Sequence, residues 1–206
     1  MRPIFITGVG TDVGKTVVAA IVTEALGAIY WKPVQAGYDQ GTDTEWVAER
    51  LSDPRIFPEA YKLALPASPH IAAREEGVVI SLDKIAEKMP LGRPLVIEGA
   101  GGLLVPLNEE AFILDLIQRL DARVILVSRN YLGSINHSLL TAAVCKAHGL
   151  DVAGWIFNGE PSGYEQEIEK WSGIRRIASI PQTGNPDREF VAREAKRIQP
   201  EFFTYL

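Results

Sequence analysis

The sequence predicts an α/β fold, a doubly wound and mainly parallel sheet with helices on both faces. Three observations carry that expectation. Short apolar runs alternate with helical patterns to the end of the chain. The runs are near-continuous rather than alternating, as in strands buried on both faces. A glycine-rich turn joins the first run to an apolar helix, and repeated strand–helix–strand units imply right-handed crossovers.

Taken in order, the first strand is expected at 3–7 (Pro-Ile-Phe-Ile-Thr) and the first helix at 15–26. A second run, 28–32, ends where Pro33 turns the chain out of the sheet. A helix at 43–51 follows. Residues 52–77 hold four prolines and no clear period, and are expected to be an excursion from the sheet. They are not a domain boundary, because no linker composition flanks them. The alternation then resumes with helix 82–88, strand 94–98, helix 112–120, strand 123–128 and helix 135–148. Strand 152–157, helix 164–171, strand 176–180 and helix 188–198 complete it. With no repeat or low-complexity tract, residues 1–206 read as a single domain.

Composition narrows the function. The net charge of −5 argues against a nucleic-acid-coating surface, which would be basic. Cys145 is the only cysteine, so no intrachain disulfide forms, and one thiol on an apolar helix face suits a reducing cytoplasm. The N-terminus is too quickly broken by glycine for a signal peptide, and no apolar run approaches the roughly 18–20 residues that span a bilayer. A soluble, cytoplasmic protein without a membrane partner is expected.

The turn itself, Thr7-Gly8-Val9-Gly10-Thr11-Asp12-Val13-Gly14-Lys15-Thr16, runs from strand to helix. Glycines let consecutive N–H groups face one anion, and the following helix adds its positive end. Lys15 can reach β- and γ-phosphate oxygens, and the Thr16 hydroxyl can ligate Mg²⁺. The first glycine sits one residue earlier than the standard spacing, at Gly8 rather than at Val9. The context is that of a P-loop NTPase. Partitioning-type ATPases of this topology carry a signature lysine five residues before the P-loop lysine; here that position is Gly10, which weighs against a nucleotide-dependent switch.

Further motifs fall at the carboxyl ends of expected strands, where open α/β sheets bind ligands. Lys32 in Trp31-Lys32-Pro33-Val34 can bring a second ammonium to the γ-phosphate, or simply stand solvated. Asp43 lies at a helix start where it or Thr42 can cap. Glu98, in Ile97-Glu98-Gly99-Ala100-Gly101-Gly102, closes a buried strand; a buried acid is costly without a cation, which favours a metal role.

Together these motifs, with Ser68-Pro69-His70, Leu132-Gly133-Ser134-Ile135-Asn136-His137 and Asn158, resemble the dethiobiotin synthetase family over nearly the whole chain. The resemblance implies closure of a ureido ring on 7,8-diaminononanoate with CO₂ and ATP, giving ADP and phosphate. It implies Thr16, Asp43 and Glu98 around Mg²⁺, and Lys15, Lys32 and Thr11 in catalysis. Nucleotide contacts are implied at Asp12, Val13, Gly14, Lys15, Thr16 and Val17, and at Gly99, Ala100 and Gly101. Asn158, Gly159, Pro181, Gln182 and Thr183 match the adenine pocket, and Asp187 an acid near the ribose. Substrate contacts are implied at Thr11, Lys32 and Ala36. Gly133, Ser134 and Asn136 would take the substrate carboxylate of a neighbouring subunit, making a homodimer; without the resemblance Ser134 reads equally as an ordinary helix cap. Ala36 departs from the family, which commonly has a hydroxyl there. His70 and His137, and Trp31, Trp46, Trp155 and Trp171, read as structural.

Overall fold

The computed structural model describes residues 2–160 and 163–205. Its strands are β1 (Ile4–Gly8), β2 (Ile29–Trp31), β3 (Val34–Ala36), β4 (Ile56–Phe57), β5 (Tyr61–Leu63), β6 (Leu95–Gly102), β7 (Arg123–Arg129), β8 (Val152–Asn158) and β9 (Arg176–Ile180). Its helices are α1 (Lys15–Leu26), α2 (Asp43–Arg50), α3 (Pro69–Glu75), α4 (Leu82–Glu87), α5 (Ile113–Arg119), α6 (Ser134–Ala147), α7 (Gly163–Ser172) and α8 (Arg188–Tyr205).

The main sheet has seven strands in the order β4-β2-β6-β1-β7-β8-β9, all paired in parallel. Successive side chains of β1 feed opposite faces, as strand geometry requires. Ile4 and Ile6 join a core with Val18, Ile21 and Val22 of α1 and Val191, Ile198 and Phe202 of α8. Phe5 joins the other core, with Ile113 and Ile117 of α5, Cys145 of α6 and Ile168 of α7. The first strand is thus central, and both its faces are dry.

The segment 52–77 corrects one expectation. It is not wholly an excursion: Ile56 and Phe57 add an edge strand to the main sheet, pairing with Tyr30 and Trp31. Phe57 meets the Trp31 ring edge-on at 6.0 Å. Two residues are too few to show a period, so tertiary packing decides them. The rest holds β5, which pairs with β3 in a small second sheet, and α3, which opens with Pro69 at its first turn.

Candidate active site

The P-loop forms where β1 hands the chain to α1. Gly8 ends β1, and a Cβ there would meet Val13 Cγ2 at 2.6 Å and the Gly10 carbonyl at 2.9 Å, so the displaced first glycine is required by its own loop. Gly14 takes φ +89° as the cap of α1, and a Cβ on it would overlap Asn158 Nδ2. Across the loop, Gly102 approaches the Gly8 carbonyl so closely that a Cβ would sit 3.1 Å from it.

Four of the expected site side chains meet beside this loop. Lys32 Nζ lies 2.6 Å from Asp43 Oδ2 and 3.0 Å from Glu98 Oε1. The Thr16 hydroxyl is 2.8 Å from Glu98 Oε1 and 3.2 Å from Asp43 Oδ1. Lys32 is only 4% exposed and Glu98 1%, so these are desolvated charges held by one another. Burial opposes the charge on Lys32, but Glu98 and Asp43 outweigh it, and its pKa rises overall. Lys32 is therefore not a solvated strand-end residue. Lys15 donates to the Gly10 carbonyl at 2.8 Å. Burial lowers its pKa, with Glu98 in partial opposition, and an arriving anion would favour its charged form.

Local structure explains how Asp43 comes free for this cluster. Thr42, not Asp43, caps α2: its hydroxyl accepts from Glu45 N at 3.1 Å, while Glu45 Oε2 accepts from Thr42 N at 2.8 Å. Sequence reasoning missed Tyr30, which is fully buried and donates its hydroxyl to Glu98 Oε2 at 2.7 Å. Burial, then the Glu98 charge, pushes that phenol well above its usual range, so it stays a donor. A tyrosine inside an apolar strand gives no sequence signal of such a task.

Lys15, Thr16, Lys32, Asp43 and Glu98 line a cleft of about 810 Å³ that also takes in Thr11, Asp12, Val17, Ala36 and Gln35. Gln35 bridges the Gly37 carbonyl and the Asp43 amide, at 2.8 and 3.4 Å. Trp46 packs against the core and also lines the same cleft, under the Arg50 guanidinium 4.0 Å from its ring. Trp31 and Trp155 are fully buried, and Trp171 is 65% exposed. Ala100 and Gly101 reach the cleft, whereas a Cβ on Gly99 would strike the Phe5 ring at 2.7 Å; that glycine serves packing.

A smaller hollow of about 160 Å³ continues past Val17 and Pro186, which line both. It holds Asn158, Gly159, Pro181, Gln182 and Thr183, together with Arg129 and Phe190, which sequence reasoning did not single out. Asn158 Nδ2 donates to the Val13 carbonyl at 3.3 Å, tying the hollow to the P-loop. Asp187 Oδ1 accepts from Phe190 N at 2.9 Å at the start of α8, which is a helix-capping contact.

Gly133, Ser134 and Asn136 line neither cavity of their own chain. The cap of α6 is Gly133, at φ +103°, and not Ser134; the Ser134 hydroxyl is buried with no hydrogen-bond partner among the described residues. His137 pairs with the Tyr131 hydroxyl at 2.7 Å and His70 with the Ser68 hydroxyl at 3.2 Å. Cys145 is buried, and burial pushes its thiol up to about 12.

Residues 2–189 match a family model described as an AAA domain. A relative named ATP-dependent dethiobiotin synthetase BioD, from Cytophaga hutchinsonii, is 46% identical over 202 residues, covering 96% of this chain and 97% of its own. The protein of that name from Bradyrhizobium sp. is 46% identical over 183 residues, 86% of each chain. Among solved structures, the Pyrococcus furiosus cell division ATPase MinD superposes with a TM-score of 0.61 at 15% identity, covering 99% of both chains. A ParA family ATPase from Chlorobium tepidum gives 0.58 at 14% identity, covering 97% of this chain and 93% of its own. These two likenesses are of fold alone.

Proposed function

This chain belongs to the family of ATP-dependent dethiobiotin synthetases, and we propose the following division of labour for its ring-closing reaction. The observation that carries the proposal is the buried Lys32 ammonium between two carboxylates that also meet Thr16 of the P-loop.

Residues 8–16 cradle the triphosphate, with the N-terminus of α1 adding its partial positive charge. Lys15 leaves the Gly10 carbonyl for a phosphate oxygen. Asn158 and the strand-end residues Pro181, Gln182 and Thr183 hold adenine, and Asp187 keeps one carboxylate oxygen for the ribose. Thr16, Asp43 and Glu98 fit Mg²⁺: the donors are all oxygen, as a hard cation prefers, and their two carboxylates exceed the single Lys32 charge between them. When bound, Mg²⁺ supplies charge that offsets the phosphates.

The diamine occupies the larger part of the cleft, beside Thr11 and Ala36. One amine adds to CO₂ and loses a proton, giving a carbamate. A carbamate oxygen attacks the γ-phosphorus and ADP leaves. The second amine then attacks the carbamoyl carbon; the C–O bond breaks, phosphate departs, a proton is lost and the ureido ring closes. Lys32 holds carbamate and transferring phosphoryl together, so its ammonium stabilises charge that develops during transfer. The N-terminus of α6, with Gly133, Ser134 and Asn136, takes the substrate carboxylate of a second subunit. We therefore take the working form to be a homodimer of one catalytic domain per chain. We place it in the cytoplasm; no described helix is long and apolar enough to cross a membrane.

Phosphate release measured with and without diaminononanoate plus bicarbonate tests the reading. Release should depend on the diamine and match dethiobiotin formed. ATP hydrolysis indifferent to the diamine would overturn it in favour of a nucleotide-dependent switch. Sedimentation velocity should give twice the chain mass.

A further inference from the structure

The cleft and the smaller hollow meet at Val17 and Pro186, which line both. A hollow of about 160 Å³ has room for one ring system and not for a whole nucleotide. In a nucleotide the sugar is bonded to the base on one side and to the phosphates on the other. With the phosphates on the P-loop and the base in the hollow, the sugar must lie at this junction. Trp46 lines the cleft there: the Arg50 guanidinium that sits 4.0 Å from its ring also donates to the Pro186 carbonyl at 2.8 Å.

We infer that the Trp46 indole is the wall on which the sugar of the nucleotide packs. The inference rests on the nucleotide reading above and deepens it with a contact for the sugar ring. Helix geometry brings the indole to the right place. Trp46 follows Asp43 by three residues, so the two side chains share one face of α2, and Asp43 Oδ1 is 3.2 Å from the Thr16 hydroxyl. The ring therefore stands one helical turn from a carboxylate of the phosphate cluster. It is half-buried, packed against the core on one part and open to the cleft on another. A sugar offers C–H bonds on its faces and hydroxyls on its rim. A flat apolar surface suits the faces and leaves the hydroxyls to polar groups.

The wall is also held in place. Besides Pro186, Arg50 bonds the Trp46 carbonyl at 3.0 Å and Glu49 Oε2 at 3.2 Å. Arg188 donates twice to the Glu49 carbonyl, at 3.0 and 3.3 Å. Two arginines thus lock the last turn of α2 to the turn at 186–188. Little of this surface has to be ordered when a ligand arrives, which favours binding.

Tryptophan fluorescence and calorimetry test the inference. Trp31 and Trp155 are fully buried and Trp171 lines neither cavity, so Trp46 is the reporter. ATP should change the emission of wild type saturably, and the change should vanish in Trp46→Phe. Calorimetry should show ATP binding weakened about tenfold in Trp46→Ala and kept within about threefold in Trp46→Phe, which retains a flat apolar wall. An acyclic adenine analogue of ATP, with an open chain in place of the sugar ring, isolates the contact. Wild type should prefer ATP to it, and Trp46→Ala should shrink that preference at least about threefold. An emission change that survives in Trp46→Phe would overturn the inference, as would a preference that Trp46→Ala leaves unaltered. An emission change with diaminononanoate and none with ATP would overturn it too. Wild-type protein that binds no ATP would overturn the nucleotide reading itself. Should Trp46→Ala fail to fold, Trp46→Leu takes its place.

Discussion

The two ends of the cleft are built differently. At the phosphate end Lys15, Lys32 and Glu98 are buried and already bonded, to the backbone, to Thr16, to Asp43 or to one another. At the smaller hollow Arg129, Pro181, Gln182 and Thr183 are exposed, and Asn158 Nδ2 reaches in to the Val13 carbonyl at 3.3 Å. The difference follows from the tasks. Moving a phosphoryl group needs charges fixed in advance, because reorganising them would add to the barrier. Holding a base needs a few edges, which can be ordered as it arrives.

Substitutions should therefore separate into effects on turnover and effects on nucleotide affinity. Lys32→Ala should lower kcat about 10³-fold while ATP affinity changes less than about tenfold; steady-state kinetics beside calorimetry would show it. If both parameters fell together, the two ends would not be distinct. Glu98→Gln should cost about 10²-fold in rate and raise the Mg²⁺ concentration needed for half activity, read from a metal titration. Gly14→Ala tests the junction: its left-handed backbone and the overlap with Asn158 should lower stability by about 2 kcal/mol and weaken ATP binding at once. Melting and binding measured on one sample would reveal whether the ends are coupled there. Asn158→Ala should raise the KM for ATP about fivefold with little change in kcat, the loss expected for one hydrogen bond of about 1 kcal/mol. Ser134→Ala should be smallest. Its hydroxyl is buried without a partner among the described residues, so the change should alter stability by less than about 0.5 kcal/mol. A KM for the diamine raised by more than about 3 kcal/mol in equivalent free energy would show that the hydroxyl, and not backbone N–H groups, holds the substrate.

The same contrast governs what the sequence disclosed. Chemistry that needs fixed types at fixed spacing was legible: Gly14-Lys15-Thr16 announces its loop, and Glu98 closing an apolar strand calls for a positive charge, which the Lys32 ammonium supplies at 3.0 Å. Strands buried on both faces were legible for the same reason, since burial leaves few residue choices. Tyr30 was not, because a strand tyrosine is ordinary until its hydroxyl is found on Glu98. Arg129 was not, because a lone arginine after an apolar run reads as a solvated strand end. Ile56–Phe57 escaped because two residues carry no period, and their pairing with β2 is decided by distant packing. The resemblance supplied Asn158, but not its bond to Val13, which joins the two ends.

The position of β1 has a consequence for the nascent chain. Its ladder partners, residues 95–102 and 123–129, leave the ribosome long after it does, and α8, against which α1 rests, follows later still. Ile4, Phe5 and Ile6 therefore stay uncovered until those partners have emerged. Such a chain invites a chaperone to β1, and a product that stopped before residue 188 would leave the side of α1 that faces α8 uncovered.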